Sequence, residues 1–280
     1  MKYSIEELIQ EADKLPPLPQ AAQKALAILR RPESNAAGLA RVLGTDQVLT
    51  TRVLRWANSA YYGMGNRIVT VQQAVVVLGL NTVQELITTY MVSDYLNRPL
   101  PGYDLQRGEL WQHSLGTAIG AKLISKQHHL NFDEEAYFAG LLCDIGKLVF
   151  EKLLRTTDLR QAPDDPSSFL AMEFATFGID HAILGAEMAR RWQLPDNLVA
   201  VIAFHHQPEA APQHQMLVSA IHVADAAMMM LGVGIGIDGL HYPFDQDALK
   251  RLGMNEEDLL RVVSQIADEM EHAKELISNA

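Results

Sequence analysis

The chain has 280 residues, 48% hydrophobic and 20% charged, with a formal net charge of −11: enough for one large globular domain or two modest ones with a real core. No apolar run reaches the roughly 18 residues that cross a bilayer, and no Lys/Arg run offers the basic patch that neutralises nucleic-acid phosphates. Met1 to Lys14 lacks the basic start and apolar stretch of a signal peptide, and the lone cysteine, Cys143, rules out a disulfide within the chain, so the cytoplasm is the default location.

Helical spacing dominates in chain order. Pro19 to Arg30 repeats Ala22, Ala25, Leu26 and Leu29 on one face, and Asn35 to Leu43 follows with Ser34 or Asn35 as N-cap. Asp46 to Ala60 is a third helix. Thr70-Val71-Gln72-Gln73 reads as a capping box ahead of Ala74 to Leu78, so Val75-Val76-Val77 is assigned to a helix and not to a short buried strand. Gly79 ends that helix, and Asn81 or Thr82 caps the next, which runs to about Leu96. Pro99-Leu100-Pro101-Gly102 is strong punctuation and sets a boundary between residues 1–102 and 103–280. Long helices are predicted over Leu105 to His128 and Asp133 to Leu154, with a loop at Pro163 to Pro166. Further helices cover Ser167 to Ala175, Asp180 to Trp192, Pro195 to His205, Gln213 to Leu231 and Glu256 to Ile277. No segment alternates with period 2, so the fold class is all-α. Gly232-Val233-Gly234-Ile235-Gly236 follows a helix instead of a strand and is read as a flexible loop, not a nucleotide fingerprint.

The second part holds a series of His and Asp residues. They are His113, Asp144 within Leu141-Leu142-Cys143-Asp144-Ile145-Gly146-Lys147, His181, the doublet His205-His206, and Asp225 three residues after His222. Each has a plain structural reading. Asp144 and Lys147 form a buried ion pair, His205-His206 is a helix end that suits the dipole, Cys143 is a packed thiol, and Met228 to Met230 fill core. The end of the Asp46 to Ala60 helix, with Asn58 and Tyr61-Tyr62-Gly63, reads as capping and packing. Six potential ligands in one order make coincidence a poor account of all of them.

The chain resembles the HDOD family of the HD superfamily of metal-dependent phosphohydrolases. The resemblance rests on Leu15-Pro16-Pro17-Leu18-Pro19, on Val53 to Gly63, on Ala74 to Gly79, on Gly140 to Lys147, on His181 to Ala186, on Trp192 to Pro195 and on His205-His206-Gln207-Pro208. It implies a helical N-terminal subdomain packed on an HD-like multi-helix core. It also implies a divalent metal, Fe, Mn, Mg or Zn, held by His113, Asp144 and Asp225, with His181 and one or both of His205 and His206 as additional histidines that can hold a second metal. Imidazole and carboxylate suit such an ion, which activates water and polarises a phosphoryl oxygen. Lys147 is the catalytic candidate if the site turns over, and His222 the candidate to orient Asp225. The sequence departs from the family's His-Asp doublet at Cys143, where a softer and shorter thiol replaces imidazole. That change points to a signalling or regulatory protein, binding a protein partner or a small nucleotide-like ligand, and away from nucleic acid and membrane. The alternatives are an active phosphohydrolase on a nucleotide or cyclic dinucleotide, and a metal-free scaffold. The two parts would fill the 280 residues without room for a receiver domain, and a homo-oligomer stays open.

Overall fold

Helical periodicity is realised across the computed structural model, which describes residues 47–58, 68–155, 169–239 and 241–278, together with Glu7 and Gln10. The helices are α1 (Gln47–Ala57), α2 (Val71–Leu78), α3 (Leu80–Leu96), α4 (Glu109–Gln127), α5 (Asp133–Leu142) and α6 (Lys147–Arg155). There follow α7 (Phe169–Phe177), α8 (His181–Arg191), α9 (Asp196–Phe204), α10 (Gln215–Met230), α11 (Gln246–Leu252) and α12 (Glu256–Ser278). Among the described residues there is no strand, only an isolated antiparallel bridge between Leu100 and Leu105. The fold is all-α. The helices expected over Pro19 to Arg30 and Asn35 to Leu43, the Leu15 to Pro19 motif, Ser59 to Gly63 and the Pro163 to Pro166 loop lie outside the described residues.

The described residues from Gln47 to Ser93 belong to one compact unit, and those from 94 to 268 belong to another. In the first, the capping box forms: Thr70 Oγ1 accepts from the Gln73 amide, and Gln73 Oε1 accepts from the Thr70 amide, each at 3.2 Å. This fixes Val75 to Val77 in α2. Beyond α1, the Asn58 side chain clasps the Ile68 backbone with Nδ2 to O at 2.7 Å and N to Oδ1 at 2.8 Å. Asn58 therefore does more than end a helix; it ties the chain across ten residues.

In the second unit, α4 packs against α5 and α10, and α8 against α9. Helix α10 is buried on nearly every side from Leu217 to Met228, the pattern of a central core helix. Met230, by contrast, is 52% exposed, so the methionine run is not all core. The single helix expected over Asp133 to Leu154 is two, α5 and α6, separated by a turn at Cys143 to Gly146. The cause is a close approach of backbones. A Cβ on Gly146 would lie 1.9 Å from the carbonyl oxygen of His181 and 2.9 Å from the Gly185 amide. Only glycine lets the turn lie against the start of α8. No single helix among the described residues is long and apolar enough to cross a membrane.

Candidate metal centre

Asp144 stands in the turn between α5 and α6. Around it converge His113 from α4, His181 at the first position of α8, His205 and His206 at the end of α9, and Asp225 from α10. Donor atoms of Asp144, His181, His205 and His206 all lie within 4.8 Å of one another, and so do those of His113, Asp144 and Asp225. Asp144 belongs to both groups. These six side chains are at most 5% exposed.

Local chemistry fixes each imidazole. His113 Nε2 lies 2.8 Å from Asp225 Oδ1, and its Nδ1 lies 2.9 Å from the Val233 carbonyl. Two acceptors on one ring call for two ring protons. Burial is the largest influence and opposes that charge, but the bond to Asp225 together with the Asp225 and Asp144 charges raises the His113 pKa. Burial likewise pushes the Asp225 carboxyl up, and His113 brings it below its ordinary value. At the start of α8, Asp180 caps the helix by accepting from the Ile183 amide at 2.8 Å. Glu173 Oε2 of α7 accepts from the His181 backbone amide at 2.9 Å and from His181 Nδ1 at 2.7 Å. Its other oxygen accepts from Tyr103 at 2.6 Å. That leaves His181 Nε2 facing His206 Nε2 at 3.2 Å and Asp144 Oδ1 at 3.5 Å. Burial pulls the His181 imidazole down, and the charges of Glu173 and Asp144 reverse this and lift it to about 10. His206, buried beside His205 and His181, is held well below the ordinary imidazole value.

Lys147 is nearly solvent-free, and its ammonium lies 3.1 Å from Asp144 Oδ2 and 2.7 Å from Asp238 Oδ2. Burial would expel that charge, but the carboxylates of Asp144, Asp238 and Asp225 hold it and raise the pKa. In return Asp144 stays well below the usual carboxylate range despite its burial. The electrostatics are those of a carboxylate-rich pit filled by an ammonium and imidazolium protons.

Cys143 takes no part in either donor group among the described residues. It is fully buried, and its thiol donates to the Gly140 carbonyl at 3.3 Å. Burial, followed by the nearby Asp144 and Asp225 charges, pushes its pKa well above that of a free thiol. His222 does not reach Asp225 with its ring nitrogens. Its Nδ1 donates to the His205 carbonyl at 2.8 Å, and its Nε2 accepts from the Asp245 amide at 2.9 Å. It fixes the end of α9 instead. This neutral arrangement agrees with a pKa lowered by burial.

The fit to a metal rests on orphaned atoms. Asp144 Oδ1, His205 Nε2 and His206 Nδ1 are buried without a hydrogen-bond partner, and Asp144 Oδ2 faces only the Lys147 ammonium at 3.1 Å. Buried polar atoms are almost always satisfied, and an ion is a common reason when they are not. A mixed imidazole and carboxylate set suits Fe, Mn, Mg or Zn.

A sequence profile of the HDOD domain matches residues 15–208. The chain belongs to the HDOD family. This HDOD chain is 30% identical over 232 residues to an uncharacterised protein of Treponema pallidum (strain Nichols), a match that covers 79% of the chain but 44% of that relative. The chain thus spans less than half the length of the curated relative. Among solved structures it is similar to an HDOD domain protein of unknown function from Geobacter sulfurreducens, at 27% identity and a TM-score of 0.74, covering 96% of this chain and 98% of that one. It is also similar to a candidate phosphohydrolase from Shewanella amazonensis SB2B, at 25% identity and a TM-score of 0.66, covering 96% and 97%.

Four side chains that contact the cluster around Asp144 escaped the sequence reading: Glu173, Asp238, Tyr103 and Tyr242. Glu173 lies on α7 among Phe169, Leu170, Met172 and Phe177, and an acid inside so apolar a helix was a usable signal. Asp238 lies two residues after the glycine-rich stretch. That stretch is a loop, but a docked one. Gly234 has φ of 64°, and a Cβ on it would lie 2.7 Å from His113 Cβ and 2.6 Å from the Glu109 carbonyl oxygen. Its neighbour Val233 supplies the His113 acceptor. Tyr242 bonds Asp238 at 3.0 Å and stacks on His206, with ring centres 3.8 Å apart and 7° between planes.

Proposed function

We propose that this HDOD protein is a regulatory binding module. Its HD-type site takes up a divalent metal through His113, Asp144, His181, His205, His206 and Asp225, and it acts on a signalling protein or small ligand through that site's occupancy. The observation that carries this reading is the Lys147 ammonium held between Asp144 and Asp238, inside a donor set almost closed to solvent. A hydrolytic centre needs an approachable position for the phosphoryl group, and here a fixed cation already lies against the shared carboxylate. Cys143 adds support, because its thiol is turned to Gly140 and supplies no ligand in place of the family's imidazole. A bound metal would supply a Lewis acid. Glu173 would keep the Nδ1 proton on His181 and direct Nε2 to the ion.

The second reading is a metal-dependent phosphohydrolase acting on a nucleotide or cyclic dinucleotide. The convergence of all six donors favours it, as does likeness to the Shewanella candidate phosphohydrolase. One experiment separates the two. Protein purified without chelator is assayed for metal content, and then for release of phosphate or nitrophenol from generic phosphomonoesters and phosphodiesters with Mn, Mg or Fe added. Stoichiometric metal that is lost in Asp144→Ala and Asp225→Ala, without turnover, is the expected result. Turnover abolished by the same substitutions would overturn the regulatory reading, and absence of metal under all conditions would leave a scaffold.

A further inference from the structure

A pocket of about 200 Å³ adjoins the metal centre and shares His206 and Asp225 with it. Its other walls are Met229 and Met230 at the end of α10, and Tyr242 and Phe244 in the segment that follows. Two of these walls are held in place in advance. Tyr242 stacks on His206, and Phe244 stacks on His222 with ring centres 5.4 Å apart and 16° between planes. Aromatic surface that is already fixed is not further ordered on binding, which removes part of the cost of association. The two methionines adapt to irregular shapes and favour aromatic partners.

The polar content of the pocket is selective. His206 lines it, and its Nδ1 is buried without a hydrogen-bond partner, 3.8 Å from Asp225 Oδ2. Neither lysine nor arginine is among the lining residues, and Asp225 places a carboxylate at the inner wall. Lys147 is held by Asp144 and Asp238 and lines no part of the pocket. Phosphate recognition calls for charged or backbone donors; the lining side chains supply no cation of their own, and without metal a phosphate would meet the Asp225 carboxylate. In size, a cavity of roughly 150 Å³ holds a benzene ring, so this pocket suits one ring or two.

We infer that the pocket binds an uncharged one- or two-ring aromatic molecule, with its ring against Tyr242, Phe244 and the methionines and its polar edge toward His206 and Asp225. The inference rests on the regulatory reading above and gives the small ligand a chemical class, a flat neutral ring instead of a phosphate-bearing nucleotide. Indole is a suitable probe, and adenosine 5′-monophosphate is the charged comparator. Ligand-observed NMR titration of the full chain, with and without Mn²⁺, should give saturable indole binding that exceeds binding of the nucleotide. Met229→Trp, which fills the pocket, and Phe244→Ser, which removes an exposed wall, should each weaken indole binding about tenfold or more and leave metal content unchanged. Tighter binding of the nucleotide, no saturable binding of indole, or indole binding indifferent to both variants would overturn the inference. Metal analysis of the same samples keeps the two readings apart. Metal-loaded protein that ignores indole refutes the pocket and leaves the regulatory reading standing, whereas indole binding by protein that never takes up metal does the reverse.

Discussion

Removing the Lys147 ammonium is the most informative perturbation of the centre. Lys147→Met keeps the length and apolar stem of the side chain but strips the charge from contacts at 3.1 Å to Asp144 and 2.7 Å to Asp238. Breaking a buried ion pair by deleting one partner costs about 3–5 kcal/mol, because the other charge stays buried and uncompensated. For a protein region of 150–250 residues, 1 kcal/mol moves the melting temperature by roughly 2–4 °C. Melting in chelator should therefore fall by roughly 6–20 °C. A divalent metal should restore much of that loss, since it compensates the same carboxylates. A ligand at 100 times its dissociation constant adds about 2.7 kcal/mol in the simplest case. The gain should be larger in Lys147→Met than in the wild type, where ammonium and metal compete for Asp144. Thermal unfolding followed by circular dichroism, with EDTA and with excess Mn²⁺, measures both. A variant as stable as the wild type in EDTA, or an equal metal-induced gain in the two proteins, would refute the reasoning.

Glu173→Ala should weaken metal binding roughly 10–100-fold, the range for partners that orient a ligating histidine; a titration with Mn²⁺ or Zn²⁺ reads it, and unchanged affinity counts against the role given to Glu173. Cys143→Ser should leave metal affinity within about twofold, because the thiol bonds to Gly140 and is no ligand; the native thiol should also resist alkylation until the protein unfolds. Stability in chelator should fall as pH rises from about 6.5 to about 10. His181 has a folded pKa of about 10 against an ordinary 6.5, so its contribution is complete below 6.5 and is lost as pH climbs through the folded value. Glu173→Gln should flatten that decline, and a flat wild-type profile of melting temperature against pH would contradict the assignment. Gly146→Ala should destabilise by about 1–3 kcal/mol or more, because the added methyl meets the His181 backbone; an unchanged denaturant midpoint would show that the turn and α8 are not so closely set.

Much of the fold was legible because helix formation leaves a local imprint. The Thr70 to Gln73 capping box and the 3.6-residue apolar rows needed no knowledge of distant contacts. The candidate site was legible as far as the histidines and aspartates that converge in it, whose order along the chain carries the family pattern. What stayed hidden depends on tertiary approach. Nothing near Gly146 in the sequence announces that α8 will press against it, so α5 and α6 read as one helix. Asp238 looks like an ordinary turn residue until Lys147 is brought beside it. His222 was expected to serve Asp225 because the two lie three residues apart on α10. The ring turns instead to the end of α9, where the His205 carbonyl lies within reach.

The segment between Val233 and Phe244 bears on how this molecule tolerates change in length. Surface connections usually accept an inserted or deleted residue at small cost. This one cannot be slid along by a single position without loss at several points together. Val233 supplies the acceptor that orients His113, Asp238 the second anion for Lys147, Tyr242 the ring against His206, and Phe244 the ring against His222. Its register is set as firmly as that of a core helix, although its described residues form no helix or strand. Loop grafts and domain insertions in this unit therefore belong elsewhere, and a one-residue deletion between Ile235 and Ile237 would disturb the candidate metal centre and the adjoining pocket together.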